Sequence, residues 1–469
     1  PNGIAAAIAL AMADLSVLVL EAKDTIGGGM RSAELTEPGF VNDICSAVHP
    51  LGAASPVLSR LLLNKHGLEW IYPSIAAAHP LDNGDAAVLE SSVEDTAESL
   101  AKDRDAYIRT IKPLVDDWNK IAFDLLGPAK IPYFLPEAMR FGLKAFRSAK
   151  SFTDRYFSHE KAKALFAGMA AHSILPLDKK ITSAVALVLM IQGHTHGWPI
   201  PKGGSRSIAS SMQSLLLSLG GKIRTNCEVK SLDQIPSAKA ILFDLTPRQI
   251  LEICKDKLNV KYRKSLARYR YGPGAFKVDW ALSEKIPFKS EKCRKAGTIH
   301  IGGTMEEIAE SEKLVWQGKV SEGPYIILAQ QSVFDSIRAP EGKHTAWAYC
   351  HIPNGFDFDM TRRIENQIER FAPGFRDIII AKHTMSPADF ESYNSNYIGG
   401  DINGGVQDLG QMLSRPVLSL SPYRMPLKGH YICSSSTPPG GGVHGMCGYH
   451  AARQALKDIF EIEFDIRKA

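Results

Sequence analysis

The chain has 469 residues, 45% of them apolar, and a net charge of +5. That is enough material for more than one packed core, and the cations are too dispersed for nucleic-acid binding. The seven cysteines (Cys45, Cys227, Cys254, Cys293, Cys350, Cys433, Cys447) are odd in number and scattered, with no C-x-x-C pair; this excludes a redox-active dithiol and clustered thiolate zinc ligation, and no metal site is expected. No run of about 18 consecutive apolar residues suggests a membrane span.

Pro1-Asn2-Gly3 opens an alanine-rich segment, residues 4–12, that suits a helix packed closely on a sheet. Residues 16–20 are a short apolar strand of the kind buried on both faces, ending at Glu21. Gly3 falls where the third glycine of G-x-G-x-x-G belongs, so the first strand and first two glycines of such a unit are expected ahead of Pro1. Residues 91–171 read as amphipathic helices broken at Pro128, Pro132 and Pro136. Within them Met139, Leu143 and Phe146 recur at helical spacing beside Arg140, Lys144 and Arg147. That pattern fits an ordinary charged helix face, or a membrane-surface helix through which a lipidic substrate enters.

Gly203-Gly204-Ser205 opens a helix over 208–219, residues 222–232 read as a strand pair, and residues 240–245 form a second buried strand before Thr246-Pro247. From Gly274 to Tyr349 the pattern is strand-like, notably 276–282, 325–329 and 345–350, and predicts an antiparallel sheet. A helix over 362–371, a glycine-rich loop over 399–405 and a short strand at 430–433 follow. The chain closes with a second glycine loop, Gly440 to Gly445, and a helix over 450–460. The predicted organisation is a nucleotide-binding domain of residues 1–75, 200–258 and 414–469, interleaved with a substrate domain of residues 76–199 and 259–413, with the substrate cleft between them.

The chemistry concentrates at the two ends. A dinucleotide needs helix-start amides for its pyrophosphate and a strand-end carboxylate for its ribose; Gly3 and Glu21 stand at that spacing. Gly27-Gly28-Gly29 presents successive amides as an anion nest, with Arg31 as a fork-shaped donor. The helix start after Gly440-Gly441-Gly442 could stabilise negative charge on a ring that accepts hydride. Each feature alone has a plain alternative: a solvated carboxylate, a flexible loop, an interdomain turn. His49 and His444 are the candidate acid/base groups, although a lone histidine is more often structural. His194 and His196 read as structural. Cys447, at a helix start, is expected to carry a lowered thiol pKa.

Pro1-Asn2-Gly3 with Glu21, Ile26 through Ser32, Pro201 through Ser205, Arg338-Ala339-Pro340-Glu341-Gly342, Arg370 through Phe375 and Ser434 through Gly448 together resemble the flavin-dependent amine oxidase and phytoene desaturase superfamily, in particular its carotenoid-desaturase-like group. The resemblance covers nearly the whole chain. It implies an α/β fold of the glutathione-reductase type, with a Rossmann-like FAD-binding domain interleaved with an α+β substrate domain. FAD is the implied cofactor, with Gly3, Glu21, Gly28, Gly29 and Arg31 on its ADP half and Val229 at adenine. Gly442, Val443, His444, Gly445 and Met446 are then placed beside the flavin ring. Asp14 departs from the family's helix-ending glycine, tolerably, since aspartate visits the left-handed region.

No second strand-glycine-helix fingerprint is present and Gly272-Pro273-Gly274 reads as a turn, so stably bound NAD(P) is not expected. The implied reaction is removal of hydride from a C–H bond of an apolar or amphipathic small molecule, first C–C desaturation, then amine oxidation. A flavin-fold binding or assembly factor is the alternative of another class. Oxygen or a quinone would accept the electrons. The location would be cytoplasmic or the mitochondrial matrix, with peripheral membrane contact.

Overall fold

In the computed structural model, which describes residues 1–468, the alanine-rich start forms the helix Asn2–Ala11, buried at every position except Gly3. Small side chains let it lie directly on the last helix, Met446–Phe460. A Cβ on Gly448 would stand 1.9 Å from the Asn2 carbonyl oxygen and 3.0 Å from the Ala6 nitrogen, and one on Gly445 would stand 2.9 Å from the Ala5 Cβ. The two ends of the chain therefore meet backbone to backbone. Asp14 follows the first helix at φ 59°, the left-handed conformation that the missing glycine would otherwise supply.

Two parallel pairs flank this helix pair. Leu18–Leu20 pairs with Lys222–Arg224, and Ile241–Phe243 with His430–Ile432. Leu18–Leu20 and Ile241–Phe243 each keep one edge unpaired, and both line the same cavity; such edges are open to a further extended strand. The expected strand pair over 222–232 is a single short strand. Asn226 turns the chain at φ 53°, and the segment is stitched to the end of the Leu18–Leu20 strand through Glu21 N–H to Arg224 O (2.8 Å) and Cys227 N–H to Glu21 O (2.9 Å). Its polar alternation reflects exposure, not pairing.

The rest is built on a seven-stranded sheet in the order Ile379–Met385, Gly274–Leu282, His344–Ile352, Ile326–Ala329, Ala296–Ile301, Ile75–Pro80, Ala86–Leu89. The expected antiparallel character holds at every pairing except one: Ala296–Ile301 runs parallel to Ile75–Pro80. The strands at 75–89 escape a sequence reading because Ala76, Ala77, Ala78, Ala86 and Ala87 carry little strand propensity and owe their conformation to complete burial. Helices between Val93 and Thr195 cover one face of the sheet, and Thr361–Phe371 covers the other. Pro113 lies inside the long helix Arg104–Leu125, while Pro136 opens Leu135–Ala145 where the sequence suggested a break. The segments assigned above to the nucleotide domain build the parallel pairs and their helices, apart from residue 469, which lies outside the described residues.

Valine at Gly448 would drive its Cβ into the Asn2 carbonyl. Because overpacking of this kind costs about 1–3 kcal/mol or more, Gly448→Val is expected to lower the thermal midpoint, and flavin retained after gel filtration should fall with it.

Candidate active site

One cavity of about 1560 Å³ runs from the N-terminal helix start to the seven-stranded sheet. It exceeds the roughly 300–1,000 Å³ of ordinary small-molecule pockets, as a dinucleotide with a second ligand requires. Pro1, Asn2, Gly3, Glu21, Gly28, Gly29, Arg31, Val229, Gly442, Val443, His444 and His49 all line it. The sequence candidates thus converge from both ends of the chain on one space.

At the nucleotide end the first helix has no side-chain cap. Its Gly3 N–H instead donates to the Asp244 carboxylate at 2.7 Å, and the buried Asn2 Oδ1 has no partner. A helix start without a side-chain cap, whose Gly3 amide already takes a carboxylate, fits the anionic half of FAD. Burial raises the Asp244 pKa, and the N-terminal amine and the Gly3 amide partly offset it. Asp244 was not singled out from sequence, because a strand-end aspartate carries no distinguishing pattern.

Glu21 Oε1 accepts from the Lys23 amide at 2.9 Å and from Arg31 at 3.3 Å. Arg31 does not reach out as the free phosphate fork expected above. Its Nε and Nη2 donate to the Thr25 carbonyl at 3.0 and 2.5 Å, so the guanidinium holds the glycine loop against the Glu21 strand. Gly28 sits at φ 55°, and a Cβ on Gly29 would stand 2.5 Å from the Tyr397 hydroxyl. Tyr393 donates to the Gly28 carbonyl. Tyr393, Asn394 and Tyr397 all line the cavity. Sequence reasoning missed them, since the only local signal is the Ser386-Pro387 helix cap ahead of them.

At the opposite glycine loop, His444 is buried and its Nδ1 accepts from the Met446 amide at 3.1 Å. Burial lowers its pKa to about 4, so the ring is neutral. Gly445 and Met446, expected beside the flavin ring, do not line the cavity. Gly445 packs on Ala5, Met446 lies in the core, and the Met446 amide is occupied by His444. Cys447 is also corrected: burial outweighs the helix start and raises its pKa to about 11.

His49 is positioned from further away. Ser205 Oγ donates to the Ser46 carbonyl at 2.6 Å and therefore accepts from His49 Nε2–H at 2.8 Å, which leaves Nδ1 as an unpartnered acceptor in the cavity wall. Burial lowers the His49 pKa to about 4. The Ser205 amide in turn donates to Asp43 at 2.7 Å, and Asp43 is bound by Arg338 at 2.6 Å with both side chains fully buried. Burial alone would raise the Asp43 pKa, but Arg338, the Ser205 amide and Ser32 together hold it below the ordinary carboxylate value. The Arg338-Ala339-Pro340 motif thus acts on the site through Asp43. His194 bonds Tyr107 at 2.7 Å and takes no place in the cavity wall.

Beyond the histidines the cavity is lined by Phe141, the helix Thr182–Thr195 (Ala184, Val185, Val188, Leu189) and the sheet residues Thr298, Ile327, Trp347 and Tyr349, together with His172 and Trp198. Among the described residues no carboxylate, lysine or arginine lines this half; those that line the cavity (Glu21, Lys23, Arg31, Glu228, Lys230, Lys239, Asp244, Arg248, Glu252) belong to the segments that build the parallel strand pairs and their connections. A buried Lys277–Asp279 ion pair lies on the same face of the sheet.

Known proteins settle what this geometry belongs to. The sequence pattern of the flavin-containing amine oxidoreductases matches residues 3–252. The chain belongs to that family. It is 23% identical to the rat pyridine nucleotide-disulfide oxidoreductase domain-containing protein 2 over 98% of this chain and 92% of the relative. It is 21% identical to the lycopene-forming phytoene desaturase of Pantoea ananas over 97% of this chain and 96% of the relative. The structure of putrescine oxidase bound to putrescine superposes with a TM-score of 0.61 at 16% identity, covering 98% and 97% of the two chains, and shows the shared fold. The chain is accordingly an FAD-dependent oxidoreductase.

Glu21→Ala and Arg31→Ala test the nucleotide end. Loss of a ribose-binding carboxylate or of the guanidinium that fixes the glycine loop is expected to weaken FAD by about tenfold, the scale of one charged hydrogen bond, read from flavin absorbance after desalting.

Proposed function

We propose that this enzyme desaturates a C–C bond of a neutral, apolar or amphipathic small molecule. One observation carries the reading: the half of the cavity remote from the nucleotide end has apolar walls and no charged side chain. An alkylammonium entering it would lose its hydration without a counter-charge, which is costly in a low-dielectric slot. The resemblance to phytoene desaturase supports the same substrate class, and amine oxidation is the second reading. When bound, FAD would supply the hydride acceptor, with oxygen or a quinone as the terminal acceptor of the electron pair. The protein's part is positioning: Phe141 and the Thr182–Thr195 helix hold a chain-like substrate against the sheet and exclude water. His444 and His49, both neutral, present fixed imidazoles at the mouth of the glycine loop, and the open His49 Nδ1 is the acceptor available for a proton.

Access is proposed from a membrane surface. The helix Leu135–Ala145 lines the cavity with Phe141 yet exposes Met139 and Leu143 (73% accessible), and Ile131, Tyr133 (86 and 87%) and Phe146 extend the patch. Lys144, Arg147 and Lys150 flank it, while Lys130 and Arg140 are paired with Asp124 and Asp117 at 2.6 Å; the three flanking cations suit an anionic lipid surface.

Full-length, flavin-loaded protein under anaerobic conditions should lose its flavin absorbance on addition of polyene or terpenoid extracts and keep it with alkylamines. The reverse pattern, with peroxide released on admitting air, refutes the desaturase reading. Leu143→Ser with Phe146→Ser should reduce co-sedimentation with phosphatidylglycerol vesicles by about tenfold or more, given roughly 1.5–3 kcal/mol per buried large apolar side chain, while flavin content stays unchanged.

A further inference from the structure

The two faces of the seven-stranded sheet differ in kind. One carries Val278, Trp280, Ile299, Leu328, Ala348 and Cys350, a largely apolar core beneath the Thr361–Phe371 helix, where the Trp280 indole N–H donates to Glu365 at 3.2 Å. The other, turned toward the cavity and its covering helices, carries polar side chains at alternate positions: Thr298 and His300 on one strand, Trp347, Tyr349 and His351 on another. Most of this polarity is internally matched. His351 meets Glu312 at 2.9 Å, His300 Nε2 meets His172 Nε2 at 2.9 Å, and Lys277 pairs with Asp279.

Several buried polar atoms of this face have no partner, among them His300 Nδ1, His351 Nε2 and Thr345 Oγ1, but only in one row do such atoms belong to residues that line the cavity. Thr298 registers with Ala329, and Ala329 with Trp347, so the three lie side by side across three strands. Thr298 is 2% and Trp347 6% exposed, both line the cavity, and neither Thr298 Oγ1 nor Trp347 Nε1 has a hydrogen-bond partner. Unmet buried polar groups are rare in native proteins and call for a ligand or a role.

We propose that Thr298 and Trp347 form a recognition site for one neutral oxygen of the substrate, an alcohol or a carbonyl, at the sheet end of the apolar slot. The indole N–H only donates, so it requires an acceptor, and the threonine hydroxyl donates or accepts as that oxygen demands. With no cation lining this half, a carboxylate finds no charge partner; with no carboxylate lining it, an ammonium finds none either. The site therefore selects an oxygenated amphipathic molecule over the hydrocarbon of the same skeleton. This rests on the neutral-substrate reading above and narrows it.

The test is ligand binding to the flavin-loaded full chain, read from perturbation of the flavin spectrum and tryptophan fluorescence, with farnesol and farnesene as matched probes. The parent protein should bind farnesol roughly five- to tenfold more tightly than farnesene, the yield of one or two neutral hydrogen bonds. Trp347→Phe and Thr298→Val should each cut that preference about threefold, and the double variant should bind the two probes within about twofold of one another with farnesene affinity unchanged. Thr298→Val, the milder change, decides the matter should Trp347→Phe fold poorly. Equal binding of the probes by the parent, binding of neither, or a preference that survives in the double variant overturns the site. A flavin bleached by amines alone would sink the desaturase reading, and the farnesol preference would still decide this one.

Discussion

The site exists because two helix starts, one from each end of the chain, are held in contact. Gly448 and Gly445 carry no side chain where the last helix crosses Asn2, Ala5 and Ala6, so the axes approach as closely as backbones allow. Small residues at the crossing yield dense packing, and their cost in helix propensity is modest beside the burial gained. The consequence is functional: the N-terminal helix start, whose Gly3 amide holds a carboxylate, and the Gly441–His444 stretch of the last glycine loop both become parts of the wall of one cavity. Neither part could be moved independently, because each helix is the other's core.

A second constraint sets the remaining geometry. The Asp43–Arg338 pair is fully buried, and burying two charges is repaid only when further hydrogen bonds complete the set. Asp43 receives them from Ser32 and from the Ser205 amide, and Arg338 Nε donates to the Val41 carbonyl at 2.9 Å. Residues far apart in sequence are thereby pinned to one carboxylate: the strand after the first glycine loop, the start of the Arg206–Ser218 helix and the Arg338 turn. A methionine or leucine pair could fill the volume, but would not fix the Ser205 hydroxyl that orients His49. The ion pair thus acts through position, two hydrogen bonds removed from the cavity.

What the sequence revealed follows the same division. Gly3, Glu21 and the two glycine loops were legible because each is a local pattern tied to backbone chemistry, amides that must be exposed and side chains that must be absent. Even the substitution of aspartate at position 14 was readable, since its left-handed conformation is a local property. Arg31 lines the cavity, but its guanidinium is turned inward: a guanidinium two residues past three glycines can point to an anion or to a local carbonyl, and here it bonds Thr25 O and Glu21, a choice that no motif encodes. Gly445 and Met446 were misplaced because the αL turn at Gly445 and the His444–Met446 hydrogen bond lie below the resolution of a motif. The segment with the turn at Asn226 was read as a strand pair because alternating polarity is produced equally by pairing and by exposure.

The cavity-facing side of the sheet was not legible at all, and the reason is physical. Period-two alternation in His344–Ile352 announces two unlike faces but not which one meets solvent, helix or ligand. Here both faces are buried, so the polar one cannot be explained by water. Burying His79, His300, His351, Lys277, Asp279 and Thr298 on one face forgoes much of the stabilisation that apolar side chains would give. Burial lowers the His79 pKa to about 4 and holds His300 well below its ordinary value, so these rings are present as neutral hydrogen-bonding groups and not as charges. A fold that only needed to cover the Val93–Thr195 helices would have no use for them. They form a hydrogen-bonded polar layer beside the stretch of cavity wall supplied by Thr298, Trp347 and Tyr349, so the sheet face that meets the cavity is set by directional contacts as well as by apolar packing.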